Sequence, residues 1–365
     1  MLDRRAVILG GLALSGCAAE PRLSILDGPA PGRIEPVYVA TSRAPVDDPA
    51  LMFEGGRSDD LHYYKLDISV PPVRDTGELR YPNQNPDPQR EFMALDQRNI
   101  GSIAGFKSEL NGALDTRSAQ GRIIVVYVHG YNVTYPEAVF RAAQLRADLD
   151  LQGPTVLYSW PSAGSISLYA YDRDSALFAR NGLADLLIDL ATTRADKIII
   201  MAHSMGCSIT MEALRTLSLS RRTDVLRQLD GVVLASPDID VDVFRSQIEK
   251  IDVSRLPIIV MASSRDRVLW VSQVITGGHP RVGAADNIPE LSELGVIVLD
   301  LSGIDDGEIT GHTAFASSPT LLAIIGSGQL ETVLQQGNPG GAVLLQGVAN
   351  ASFAIAYLPV LIFSQ

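Results

Sequence analysis

The chain is short of the residues that staple small folds or bind polyanions. Its 365 residues include two cysteines, Cys17 and Cys207, and only four lysines, Lys65, Lys107, Lys197 and Lys250. Two cysteines make no disulfide framework, so stability has to come from an apolar core. A hydrophobic content of 46% over this length is enough for one large domain with appendages. The formal net charge is -12, and no basic stripe is long enough to neutralise a row of phosphates. Nucleic acid is thereby excluded as a partner. No internal repeat is present, which removes solenoids and propellers.

The first residues do carry a pattern. Arg4-Arg5 precedes a short apolar run from Ala6 to Leu14, and small residues lead into Cys17. That order is an export signal, and the run is too short to span a bilayer as a helix. Leu14-Ser15-Gly16-Cys17 resembles the lipobox of bacterial lipoproteins, in which the cysteine is acylated and becomes the new N-terminus. The resemblance implies an exported lipoprotein held at the envelope, at the outer membrane or periplasmic face, and Ala18 leans toward the outer membrane. The paired arginines also resemble a twin-arginine signal, so the export route stays open. Lipidation of Cys17 leaves Cys207 without a partner.

Residues 18–36, rich in proline, glycine and alanine, read as a flexible tether. A single large domain follows over 37–330. Strands are expected at Val37 to Thr41, Tyr63 to Val70, Ile123 to Val128, Thr155 to Ser159, Lys197 to Ala202, Gly231 to Ala235, Pro257 to Ser263 and Val296 to Leu301. Helices are expected at Pro136 to Leu149, about Leu177 to Ala191, and after Ser204. This alternation is that of an α/β fold with a mostly parallel sheet and helices on both faces. Residues 331–365 form an apolar tail. From Ala342 to Phe363 it is long enough to cross a bilayer, but Pro359, its central polar residues and the lack of flanking cations favour a helix against the domain or the lipid.

Chemistry concentrates at Lys197 onward, K-I-I-I-M-A-H-S-M-G-C-S-I-T-M-E-A-L: a strand, a tight turn and a helix. A turn pinched this way needs small residues two before and two after its serine, here Ala202 and Gly206. It lifts Ser204 above the carboxyl ends of the sheet and aims the Met205 amide at an oxyanion. Serine needs a base. Only His279 and His312 follow it, and only His312 lies past the last core strand, where it reaches the carboxyl edge. For the acid, Asp266 follows the penultimate strand and Asp238 the one before; Asp266 is favoured, and the loser is expected to cap a helix. Tyr131, in V-H-G-Y-N-V, is the expected second oxyanion amide, with His129 shaping that loop. Cys207 reads as a small core residue. The Trp160 segment should line or cover the pocket.

Taken together, H-G-Y-N-V, R-A-A-Q-L-R-A-D, L-Y-S-W-P-S-A-G, Y-D-R-D-S-A, A-H-S-M-G, A-S-P-D-I-D and G-H-T-A-F resemble bacterial esterase/lipase-like α/β-hydrolases, a domain family of unknown function. The resemblance runs from about Val37 to Ala316 and implies an α/β-hydrolase fold with a Ser204, Asp266 and His312 triad. The expected function is a serine hydrolase acting on small-molecule or lipid carboxyl esters, with no metal and no cofactor. The alternative is an envelope lipoprotein that keeps the fold for partner binding. Oligomeric state is not legible.

Overall fold

The computed structural model describes residues 21–116, 122–304, 311–326 and 342–344. Ten strands form one sheet in the order β10-β9-β8-β7-β6-β4-β5-β1-β2-β3. They are β1 (Ile34–Pro45), β2 (Phe53–Ser69), β3 (Met93–Asn99), β4 (Ile123–Val128), β5 (Thr155–Ser159), β6 (Lys197–His203), β7 (Leu229–Ala235), β8 (Ile258–Ala262), β9 (Ile297–Asp300) and β10 (Ala342–Leu344). From β10 to β1 every neighbour is parallel; β2 turns back against β1 and β3 against β2. The expected mostly parallel sheet is therefore present, with an antiparallel edge.

The central strands read as continuous apolar runs because both of their faces are covered. On β6, Ile198, Ile200 and Ala202 enter one core with Leu183, Leu187 and Leu214. Met201 points into the other core with Tyr135, Phe140 and Leu145. Helices α1 (Ile103–Asp115), α3 (Tyr169–Leu190) and α4 (Met205–Leu219) cover the first face, and α2 (Tyr135–Asp148) covers the second. A capping box starts α2, with Thr134 and Glu137 each bonding the other's backbone amide. From β4 the chain moves one way to β5 and the other way to β6, so a crevice opens at the carboxyl edge where the direction reverses.

Several elements depart from expectation. β2 begins ten residues early, at Phe53, and α3 eight residues early, at Tyr169. Strand β3 has a polar sequence, M-A-L-D-Q-R-N, because it pairs at an edge and exposes one face. Helix α1 carries Gly105 and Gly112, which weaken helix propensity, yet Phe106, Leu110 and Leu114 fall at four-residue spacing and are buried.

The tether reading of 18–36 is corrected from Leu23 onward. Leu23 is fully buried, its amide donates to Ala50 O at 2.8 Å, and Leu26 N donates to Ala94 O at 2.7 Å. Before β1 begins at Ile34, proline and glycine deny this stretch a long regular element without denying it packing. The tail is corrected at its start, since Ala342–Leu344 adds a parallel strand to the open edge of β9 instead of a helix. The rest of the tail and the signal segment, with Cys17, lie outside the described residues. Among the described residues no helix is long and apolar enough to cross a membrane.

The packing of Leu23 is testable. Leu23→Ala should lower stability by about 2–5 kcal/mol, the usual cost of emptying a buried leucine site. Urea unfolding measures it, and an unchanged midpoint would restore the tether.

Candidate active site

β6 ends at His203 and α4 starts at Met205, so Ser204 alone makes the turn, with φ 51° and ψ −121°. A side chain in that left-handed region is strained by about 1–3 kcal/mol and persists only where the surroundings over-determine it. Here three backbone hydrogen bonds do so. Ser204 N donates to Ala235 O at 2.9 Å, and Cys207 N and Asp238 N donate to Ser204 O at 3.1 and 3.3 Å. The small flanking residues have concrete reasons. A Cβ on Gly206 would press on the carbonyl oxygens of His129 and Val128, the latter at 2.7 Å. Ala202 is fully buried beneath the turn.

His312 and Asp266 are brought together: His312 Nδ1 lies 2.8 Å from Asp266 Oδ2, and both residues are buried. A carboxylate only accepts, so Nδ1 carries the proton and Nε2 is the acceptor nitrogen of the neutral ring. The other oxygen of Asp266 accepts from Leu269 N at 2.9 Å, which makes Asp266 the N-cap of α5 (Arg267–Ile275). Capping and pairing thus fall on the same aspartate, and the expectation that the unused aspartate is the cap is corrected. Asp238 caps no helix among the described residues. It accepts from Tyr169 Oη at 2.9 Å and from Ser272 Oγ at 2.6 Å, with Arg281 Nε 3.4 Å away. The cap of the helix beginning at Val241 is Asp240. His279 stands exposed near Asp240, away from this cluster.

His203 had no assigned role, though it is the residue before Ser204. It is buried, its Nε2 donates to His312 O at 3.1 Å, and its ring lies 4.6 Å from that of Phe315. Burial first, then the His312 ring, hold its pKa well below the ordinary value, so it stays neutral. Cys207 is a buried core thiol beside the turn, as expected, and burial raises its pKa.

The loop after β4 is positioned by a buried polar network. His129 is fully buried, stacks on Trp160 with centroids 5.1 Å apart, donates from Nδ1 to Gly130 O at 2.9 Å and accepts from Trp160 N at 3.1 Å. Burial again pushes its pKa down. Arg43 donates to Val133 O, Ser162 O and Ser159 Oγ at 2.8, 2.8 and 2.9 Å. Burial lowers its pKa to about 10. Asp172 accepts from Ser162 Oγ at 2.6 Å, Ala163 N at 2.7 Å and Asn132 N at 3.2 Å, and Ser162 Oγ accepts from Val133 N at 3.1 Å. The amides of Asn132 and Val133 are therefore occupied, and no hydrogen bond among the described residues engages that of Tyr131. The Met205 amide, first in its helix, has no partner four residues back. Arg43 and Asp172 went unnoticed in the sequence; the available signal was a charge inside each apolar-periodic element.

A cavity of about 500 Å³ opens at this edge. Tyr131, Ile166, Val271, Ile275 and Phe315 form much of its wall, and His203, Asp238 and His312 reach it. Ser204 itself is almost completely covered. Trp160 is core rather than lining, so the Trp160 segment meets the cavity through Ile166 and Tyr169 and not through its indole. Among the described residues no cluster of His, Cys, Asp or Glu is arranged to hold a metal ion.

Residues 104–328, more than half of the chain, match the family described as "Alpha/beta hydrolase of unknown function (DUF900)". No curated protein matches the chain. Among solved structures it is similar to lipase B of Aspergillus fumigatus, at 13% identity and a TM-score of 0.37, over 60% of this chain and 54% of the lipase. It is also similar to the hyperthermophilic esterase of the archaeon Pyrobaculum calidifontis, at 12% and 0.35, over 81% of this chain and 85% of the esterase. The chain thus spans about half the length of the lipase.

The buried neutral histidines make stability depend on pH. Their folded pKa values lie below the unfolded value of 6.5, so the unfolded chain binds protons that the native state refuses. Their contribution is complete above that value and declines as pH falls through it. Between about pH 7 and pH 5.5, above the carboxylate range, the urea midpoint should drop, with a limiting slope of about 1.4 kcal/mol per pH unit for each histidine. A midpoint flat over that range would contradict the assignment.

Proposed function

We propose that this chain, which belongs to the DUF900 family of α/β-hydrolases of unknown function, is a serine hydrolase of carboxyl esters that works through an acyl-enzyme on Ser204. The observation that carries the reading is the buried His312–Asp266 pair at the carboxyl edge that also presents the strained Ser204 turn. The supporting physics is ordinary acyl transfer. His312 Nε2 takes the Ser204 proton as Oγ attacks the ester carbonyl, and Asp266 keeps the imidazole in the accepting tautomer and stabilises the imidazolium. The oxyanion that develops is met by the Met205 and Tyr131 amides. Collapse expels the alcohol, which leaves with the proton from His312, and water repeats the sequence to release the acid. No metal or cofactor enters any step. A cavity walled largely by apolar and aromatic side chains suits an ester with a hydrocarbon acyl group, small-molecule or lipid.

The location proposed for this activity is the cell envelope, with the mature chain beginning at an acylated Cys17. The support is the lipobox-like Leu14 to Cys17 in the sequence. One acyl chain holds only marginally, so further membrane contact is needed for a stable anchor.

Four variants test these readings. A fluorophosphonate probe should label the wild-type protein and not Ser204→Ala, which should fold normally and lose turnover down to the residual that binding and oxyanion donors supply. Near wild-type activity in that variant would falsify the nucleophile. Asp266→Asn should reduce kcat by about 10³ to 10⁴-fold with little change in stability, because asparagine still caps α5 but no longer enforces the tautomer. Asp238→Asn should instead cost about 1.5–3 kcal/mol of stability and keep the rate within about tenfold, since its partners are a tyrosine, a serine and an arginine. The reverse pattern transfers the acid to Asp238. Finally, Cys17→Ala should shift the protein from the membrane to the soluble fraction; full retention would place the anchor elsewhere in the chain.

A further inference from the structure

The cavity has two ends of different chemistry, and they belong to the two cores on either side of the sheet. Tyr131 and Tyr169 pack against the core beneath α3. Tyr131 Oη donates to Ile166 O, and Tyr169 Oη is 2.9 Å from Ser272 Oγ on α5, so this end continues to Ile166, Val271 and Ile275, which line the cavity and are exposed at its mouth. The polar groups here are spent on one another, since Asp238 accepts from Tyr169 and Ser272 and lies beside Arg281, and Arg267 stands in solvent. At the other end Tyr127 and Phe315 enter the core beneath α2 with Tyr81 packed on it, and Glu137 and Arg141 stand one turn apart on α2. All five line the cavity.

At the α2 end the polar groups are not met. Tyr127 is 4% exposed, no described residue bonds its hydroxyl, and that oxygen is reached from the cavity instead of being sealed in the core. No described residue bonds the Tyr81 hydroxyl either. Burial raises the pKa of both phenols, that of Tyr81 to about 12, so each is a neutral donor. Arg141 uses only Nη1, on Gln144 Oε1 at 2.9 Å and Ala316 O at 3.5 Å, which leaves Nε and Nη2. Glu137 uses Oε2 on Thr134, at 2.7 Å from the amide and 3.0 Å from the hydroxyl, which leaves Oε1. Buried polar groups are nearly always paired, so unmet ones gathered on a cavity are paired by what enters it. Charge decides what that is. Glu137 offsets Arg141 one turn away, so this end offers several donors and an acceptor with no net charge. A carboxylate would answer Arg141 and the phenols but would meet Glu137, and a hydrocarbon would leave every group unmet. Adjacent hydroxyls both donate and accept, and answer all four. We propose that the α2 end of the cavity is a polyol subsite, which holds the hydroxyls of a glyceryl or glycosyl leaving alcohol while the hydrocarbon acyl chain lies toward α5. The proposal rests on the hydrolase reading above, and the reaction balances in the same way: the ester bond is cut, the polyol departs with the His312 proton, and water releases the acid.

The experiment assays the full-length protein on octanoyl esters that differ only in the alcohol, each below its critical micelle concentration: 1-octanoylglycerol, 6-O-octanoylglucose, ethyl octanoate and carboxymethyl octanoate. At least one polyol ester should exceed the ethyl ester in kcat/KM by about 10²-fold or more, because a site built to bond hydroxyls is left unpaired by an analogue without them. The glyceryl and glucosyl arms show which polyol fits. Tyr127→Phe should lower the polyol-to-ethyl ratio about tenfold while the urea midpoint stays the same or rises, because the oxygen it removes has no protein partner to lose. Arg141→Met should lower the ratio by about tenfold or more, a charged donor being worth more than a neutral one. Binding is read separately by calorimetry on Ser204→Ala, which should take up the preferred polyol ester about tenfold more tightly than ethyl octanoate. Equal kcat/KM on the glyceryl, glucosyl and ethyl esters overturns the subsite and leaves the hydrolase standing. A preference for carboxymethyl octanoate also overturns it, by making Arg141 the seat of an anion. A Tyr127→Phe protein that keeps the ratio, or loses stability, removes that hydroxyl from the subsite. Polyol-selective binding to Ser204→Ala with no turnover of any ester by the wild type removes the hydrolase reading alone.

Discussion

The site depends on how closely the turn after β4 presses on the turn after β6. Gly130 and Gly206 are the contact points. A Cβ on Gly130 would lie 2.6 Å from His203 Nδ1 and 2.9 Å from Ser204 Cβ, and one on Gly206 would press on the carbonyls that end β4. The two turns interlock because neither glycine has a side chain. Met205 and Tyr131, which come from strands paired side by side, are thereby kept at one edge, while Ser204 is held in a backbone conformation it would not adopt alone.

What holds the interlocked turns still is hydrogen bonding paid for in desolvation. Arg43 reaches from β1 to the loops after β4 and β5, and Asp172 reaches back from the first turn of α3 to the same loops. Each charge is buried, and burial lowers the arginine's pKa and raises the aspartate's. Such groups are tolerable only when their donors and acceptors are met, which here means by the loops they position. On the other side of Ser204, neutral His203 ties its own turn to the His312 backbone. Rigid polar scaffolding on both sides leaves the cavity wall between them free to be apolar.

Much of the molecule was legible in the chain because burial imposes period. The six strands from β4 to β9 are covered on both faces, and their uninterrupted apolar runs betray them. Ser204 was legible because a strand, a pinched turn and a helix require small residues at fixed offsets, and His312 because few histidines follow it. Elements failed to show where tertiary contacts outvote local pattern. β3 is polar because it lies at an edge, the first turn of α3 is tied to the preceding loop by Asp172, and Leu23 packs in a stretch whose composition reads as linker.

The sequence by itself determined the fold class, the six strands from β4 to β9 and the position of the Ser204 turn. Those follow from local rules of period, capping and turn sterics that act within about ten residues. Only the tertiary structure put Asp266 on the His312 ring and surrounded Asp238 with Tyr169, Ser272 and Arg281. Only it placed Arg43 and Asp172 under the loops and gathered the apolar rim around one mouth. The reason is range. Most of these pairings join residues tens of positions apart, and nothing in the spacing of either partner encodes where the folded sheet will bring the other.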